Sequence, residues 1–127
     1  MSKTKNAPKA APTAEEARQQ LLGALSLCRK AGKLVMGFDA VVEAVMKGKT
    51  DYLLLASDIS PKTADRIKMA VDGLAEVHPM PLAQTDLLAV SRKPVAIYAA
   101  ADAGLARLCE TKRKQYEDLD MKEEVSE

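Results

Sequence analysis

The apolar positions of this chain change period as it proceeds, and the changes mark its elements. Ala17, Leu21, Ala24, Leu25 and Cys28 recur at steps of three and four, which places them on one face of a helix. Gly32 follows and can take the left-handed conformation that closes such a helix. KLVM is then a short strand, and Val41, Val42, Ala44 and Val45 mark a second helix ended by Gly48. YLLLA at 52–56 is continuously apolar, as a strand buried on both faces must be. Ser60-Pro61 predicts a helix start, a hydroxyl cap followed by proline at the first helical position. Ala64, Ile67, Val71 and Leu74 supply that helix's core stripe. VHPMPL at 77–82 is a weaker strand. Pro79 and Pro81 lack N–H groups on the same side of it, which suits a sheet edge. TDLLAV is a short helix with Thr85 as its cap, VAIYAA at 95–100 a second buried strand, and Asp102 the cap of a last helix through Ala103, Ala106 and Cys109.

The resulting order, α-β-α-β-α-β-α-β-α, predicts a three-layer α/β/α sandwich with no internal repeat and no internal domain boundary. The 127 residues suffice for one core. Hydrophobic residues make up 47% of the chain and aromatics 3%, so the core is built from aliphatic side chains. So few aromatics argue against single-stranded nucleic-acid binding by base stacking. No apolar run approaches membrane-spanning length, and MSKTKNAPKAAPTAEE has no apolar segment of the signal-peptide kind, so the expected compartment is the cytoplasm. Cys28 and Cys109 are expected reduced and buried, and a single histidine leaves zinc without a ligand set.

The net charge of +1 conceals an asymmetry. Residues 1–13 hold three lysines and no acid, and are expected as a flexible basic arm. Residues 117–127 hold six acids against Lys122, and are expected as a disordered acidic tail. The domain between, 14–116, is left at +3, which permits an anionic partner without demanding one.

Tests for enzyme chemistry fail on spacing. GKT at 48–50 follows a helix and precedes a strand, the reverse of a phosphate-binding loop, and Glu43 stands where that loop needs glycine. His78 has no evident Ser or Cys partner. Asp58 and Asp102 each follow an apolar strand, where they serve best as helix caps. The stretch RKAGKLVMGFDAVVEAVMKG, residues 29–48, is more informative. Gly37 precedes a helix whose first N–H groups are unsatisfied and carry the positive end of the dipole, a natural place for phosphate with Lys33 nearby, although turn glycines before a helix are common and the pattern alone equally fits a plain turn.

Three segments, LLGALSLCRKAGKL, GFDAVVEAVMKG and YLLLASDIS, resemble the ribosomal protein L-seven-Ae family, its small bacterial YlxQ-like members most closely. The likeness spans residues from about Gln20 to Ala101. It implies an α/β/α sandwich with a central four-stranded mixed sheet and binding of kink-turn RNA, a sharply bent duplex with tandem sheared G·A pairs. RNA would sit at the helix opening after Gly37. Gly32, Lys33 and Gly37 match the pattern. Family members often continue with x-Asn-Glu-x-x-Lys; Phe38 fills the free slot here, and Asp39, Ala40 and Glu43 hold the others. The resemblance therefore implies weaker binding, a different RNA, or contacts shifted to Lys33, Lys47 and the helix-end amides. A second family contact is the loop entering the last strand, where Arg92 and Lys93 would meet phosphates and Val95 would pack on a splayed nucleotide. Expected partners are structured RNA, including ribosomal RNA with a kink-turn, and ribosomal proteins. No enzyme activity, cofactor, metal, membrane or small-molecule substrate is expected. The rival reading is a protein-interaction module that kept the fold and lost the RNA site.

Overall fold

The computed structural model describes the backbone of residues 13–125 and side chains through 118. The expected basic arm therefore lies outside the described residues, apart from Thr13. Helix α1 (Ala14–Lys30) opens on a capping box: Thr13 accepts from the Glu16 amide, and Glu16 accepts from the Thr13 amide. The local pattern TAEE, threonine followed three residues later by glutamate, is the chemistry that forms it. The stripe Ala17, Leu21, Ala24, Leu25 and Cys28 is buried as predicted. Gly32, at φ 73°, ends α1 with the Gly32 amide on Arg29 and the Lys33 amide on Cys28, which satisfies two terminal carbonyls.

Strand β1 (Leu34–Met36) leads through Gly37 to α2 (Phe38–Met46), then β2 (Tyr52–Leu55), α3 (Pro61–Ala70), β3 (Glu76–Pro79), α4 (Leu88–Ser91), β4 (Ile97–Ala100) and α5 (Ala103–Val125). The sheet order is β1-β4-β2-β3, with β4 antiparallel to both neighbours and β2 parallel to β3. This is the mixed four-stranded sheet that the resemblance implied. Successive strand residues face opposite layers. Tyr52, Leu54, Tyr98 and Ala100 join the core with α1, α4 and α5. Leu53, Leu55, Ile97 and Ala99 join the other core with α2 and α3. The sandwich follows from those two apolar faces. On the β3 edge, the Glu76 and Met80 amides bond inward to Asp51 and Leu55, so the nitrogens of Val77 and Pro79 point outward. Proline there denies a further strand its donor.

Ser60 caps α3 through the Thr63 amide at 3.2 Å, with Pro61 in the first turn, as expected. Ile67 is the one fully buried residue of this helix, at 0% exposure. Ile67→Ala is expected to cost about 3 kcal/mol, since the cavity forms where α3 meets the sheet. Urea unfolding at pH 7 measures it; a loss below about 1 kcal/mol would show that α3 is not held through this contact.

Three local expectations are corrected. Leu74 is 53% exposed: α3 stops at Ala70 and Gly73, at φ 76°, turns the chain before the stripe reaches it. Thr85 does not cap α4, whose N-cap is Leu87; Asp86 instead accepts from the Ala83 amide. Asp102 caps α5 through Leu105 at 2.9 Å, but Asp58 accepts from Gln84 and ties two loops together. Helix α5 runs through Val125, and near residue 117 Arg113 pairs with Glu117 at 2.9 Å across one turn.

Candidate functional site

The candidate site grows from the junction of β1 and α2. Gly37 has φ 99° and ψ 154°, a conformation that side-chain-bearing residues rarely adopt. Its amide donates to Ile97 at 2.9 Å, and its carbonyl accepts from Val41 at 3.0 Å, the first helical bond of α2. The Phe38, Asp39 and Ala40 amides are thus first-turn donors with no helical acceptor, and no side chain caps them. A Cβ placed on Gly37 would meet nothing within 4 Å. Backbone conformation, rather than crowding from this chain, is what demands glycine, and the space beside it is open.

The outer face of α2 carries Asp39, Ala40, Glu43 and Lys47, all exposed, at the one-turn spacing of a single stripe. Glu43 and Lys47 pair at 2.9 Å, and the hydrogen bond from Lys47 holds the Glu43 carboxyl below its ordinary range. Glu43 is therefore an anion at neutral pH. Phe38 is half-buried, and the Arg66 guanidinium of α3 lies 5.1 Å from the centre of its ring. No sequence signal marked Arg66, because its meeting with Phe38 is made by the packing of α3 on α2.

The loop entering β4 lies at the same end of the sheet. Its connection is direct: Ile97 receives the Gly37 amide, and Ala96 receives that of Ala56. Arg92 takes φ 68° and closes α4, with its amide on Leu88 at 2.9 Å. Here arginine occupies the left-handed position that glycine would fill without strain. Ser91, buried below, donates its hydroxyl to the Leu87 and Lys93 carbonyls and fixes the turn. Lys93 is exposed. Val95 is not: at 8% exposure it belongs to the core of α1, α4 and α5, so its side chain is not offered to a nucleotide.

Gly32, Lys33 and Lys47 fall away from this group. The Lys33 carbonyl accepts from Ala101, at the other end of β1 from Gly37, roughly 13 Å away at normal strand rise. Lys47 caps the C-terminal end of α2, nine residues beyond Gly37's end of that helix. The structure thus brings Gly37, Phe38, Asp39 and Ala40 to one end with the Lys93–Ala96 loop, with Glu43 one turn further along α2. It places Gly32, Lys33 and Lys47 at the opposite end.

Cys28 and Cys109 are free and buried, and burial pushes their thiols up to about 11 and about 12. His78 stacks on Tyr52 and bonds Glu76 at 3.0 Å on the sheet edge. Among the described residues, no group of three His, Cys, Asp or Glu could hold a metal ion, and no helix is long and apolar enough to cross a membrane.

Two solved structures share this architecture. A protein of unknown function from Bacillus halodurans C is 23% identical over 75% of this chain and 97% of its own, with a TM-score of 0.68. A Giardia lamblia 15.5kD RNA binding protein is 18% identical over 89% of this chain and 98% of its own, with a TM-score of 0.64. No curated protein matches the chain. The family model described as ribosomal protein L7Ae/L30e/S12e/Gadd45 matches residues 19–124, nearly the whole sandwich, and the chain belongs to that family.

Proposed function

We propose that this protein binds structured RNA of the kink-turn kind through the uncapped N-terminus of α2 and the loop entering β4, without catalysing a reaction. The observation that carries the reading is Gly37: its positive φ leaves three amides and open space at an exposed helix end, beside a loop bearing Arg92 and Lys93. The Giardia lamblia relative of the same fold is described as an RNA-binding protein, which supports the reading. The amides of Phe38, Asp39 and Ala40 take phosphate or base-edge acceptors, while Arg92 and Lys93 position the backbone without reading sequence. Recognition is by shape, as suits a bent duplex. The RNA and ribosomal proteins of an assembling or assembled ribosome are the setting this family membership favours.

The test is a titration of labelled kink-turn RNA near 0.1 M salt, against a control whose sheared G·A pairs are replaced by Watson–Crick pairs. Selective binding to the first, weakening steeply with salt, is the expected result. Gly37→Val is expected to remove selective binding, because the strained φ reshapes the donor cluster; circular dichroism of the variant checks that the fold persists. Equal, weak binding to both RNAs would favour the interaction-module reading. The paired carboxylate of Glu43 on the exposed face of α2 is the observation in favour of that rival.

A further inference from the structure

A second basic feature lies between α1 and α4, on the layer opposite α2. Ser26, Arg29 and Lys30 form one wall of a groove of ≈ 260 Å³, and Ala89, Val90 and Arg92 the other. No acidic side chain lines it. Arg29 donates to the Val90 carbonyl across the groove, which pins the guanidinium between the helices. Among the described residues, neither Arg29, Lys30 nor Arg92 lies within ion-pair distance of a carboxylate. The sequence explains this isolation. No Asp or Glu occurs between Glu16 and Asp39, nor between Asp86 and Asp102, and the fold lays those two acid-free runs side by side. Two cations in the last turn of α1 suit its dipole, but that does not account for a third facing them from another helix.

We propose that this groove binds the phosphodiester backbone of an RNA stem, extending the footprint beyond the α2 end. The inference rests on the RNA-binding reading above. Arg92 joins the two surfaces: it lines the groove and opens the loop that continues through Lys93 toward Gly37's end of the sheet. A strand leaving that loop meets Arg92, then Arg29 and Lys30, with Ser26 as a neutral donor. Guanidinium groups held in fixed orientation suit phosphate oxygens, and such contacts position a duplex whatever its sequence. An acidic protein segment would satisfy the same charges, but it would not continue from the loop.

Two kink-turn RNAs test this, one with short stems and one with a stem lengthened by a helical turn. The natural chain is expected to bind the longer RNA severalfold more tightly and with a steeper salt dependence. Lys30→Gln is expected to remove most of that gain and to lower the salt slope by about one, the amount for one phosphate contact, while binding of the short RNA stays unchanged. Ser26→Glu, which sets a carboxylate in the groove, is expected to remove the gain altogether. Thermal melting of both variants guards against loss of α1. If the long RNA gains nothing, or both variants keep its full affinity and slope, the groove proposal is overturned while short-RNA binding still supports the α2 site. If the natural chain binds neither RNA, both readings fall together.

Discussion

The triple variant Asp39→Asn, Ala40→Glu, Glu43→Lys is expected to bind kink-turn RNA about 100-fold more tightly than the natural chain. The scaffold for the change is already present: all three positions are exposed on the outer face of α2, within a turn or two of the open end at Gly37. Ala40→Glu supplies a carboxylate acceptor for guanine donors, and a well-placed bidentate contact discriminates by about 1–3 kcal/mol. Glu43→Lys replaces a charge that repels phosphate by one that attracts it. The fold loses little in exchange. The Glu43–Lys47 pair is solvent-exposed, where such pairs contribute little, and alanine and glutamate are both good helix formers. Anisotropy titrations near 0.1 M salt read the gain, and Glu43→Lys alone separates charge from base contacts. A triple variant that gains only nonspecific affinity, equal on bent and straight RNA, would move the binding face away from α2.

That experiment exploits what the sequence states locally and what it withholds. The stripe from Ala17 to Cys28 was legible because helical period and burial are set within one segment, and all five residues are buried. Ser60-Pro61 was legible because capping is chemistry between near neighbours. The continuous apolar runs of β2 and β4 marked them as central strands, and they are adjacent in the sheet. Separation in space was not legible. Lys33 and Gly37 are four residues apart, yet an extended strand carries them to opposite ends of the sheet, whereas the Ile97 carbonyl, sixty positions on, meets the Gly37 amide. Val95 sits at the boundary between loop and strand in the sequence, but the core of α1, α4 and α5 reaches past the end of β4 and includes it. The Arg66–Phe38 stack and the α1–α4 groove depend on helix packing, which no single segment encodes.

A large effect on stability is also expected at the other end of the chain, in α5. Arg113→Met is expected to cost about 2–3 kcal/mol at pH 7 and to cost less as the pH falls. Arg113 is 6% exposed and holds Glu110 in a two-pronged pair, both contacts at 3.0 Å, while its remaining arm reaches Glu117 at 2.9 Å. Tyr52, on β2, donates its hydroxyl to the same Glu110 carboxylate at 2.6 Å, so the network fastens α5 to the sheet. Glu117 is half-exposed and its share is small. Arg113 is the first cause of the Glu110 carboxyl being pulled from 4.5 down to about 2. A carboxylate depressed in the folded state stabilises fully above its unfolded value, and that contribution is lost as pH falls toward its folded value. The window therefore runs from about 4.5 down to about 2. Methionine fills similar volume without charge, so the variant tests the ion pair more than the packing. In it, Glu110 loses its main anchor and protonates at higher pH, so its acid transition begins earlier. Urea unfolding at pH 7 and at pH 3 measures both effects. The difference between natural chain and variant should shrink at the lower pH, and Glu110→Gln should reproduce most of the loss at pH 7. A penalty equal at both values would assign the cost to packing around α5 and remove the pair from any account of the protein's acid stability.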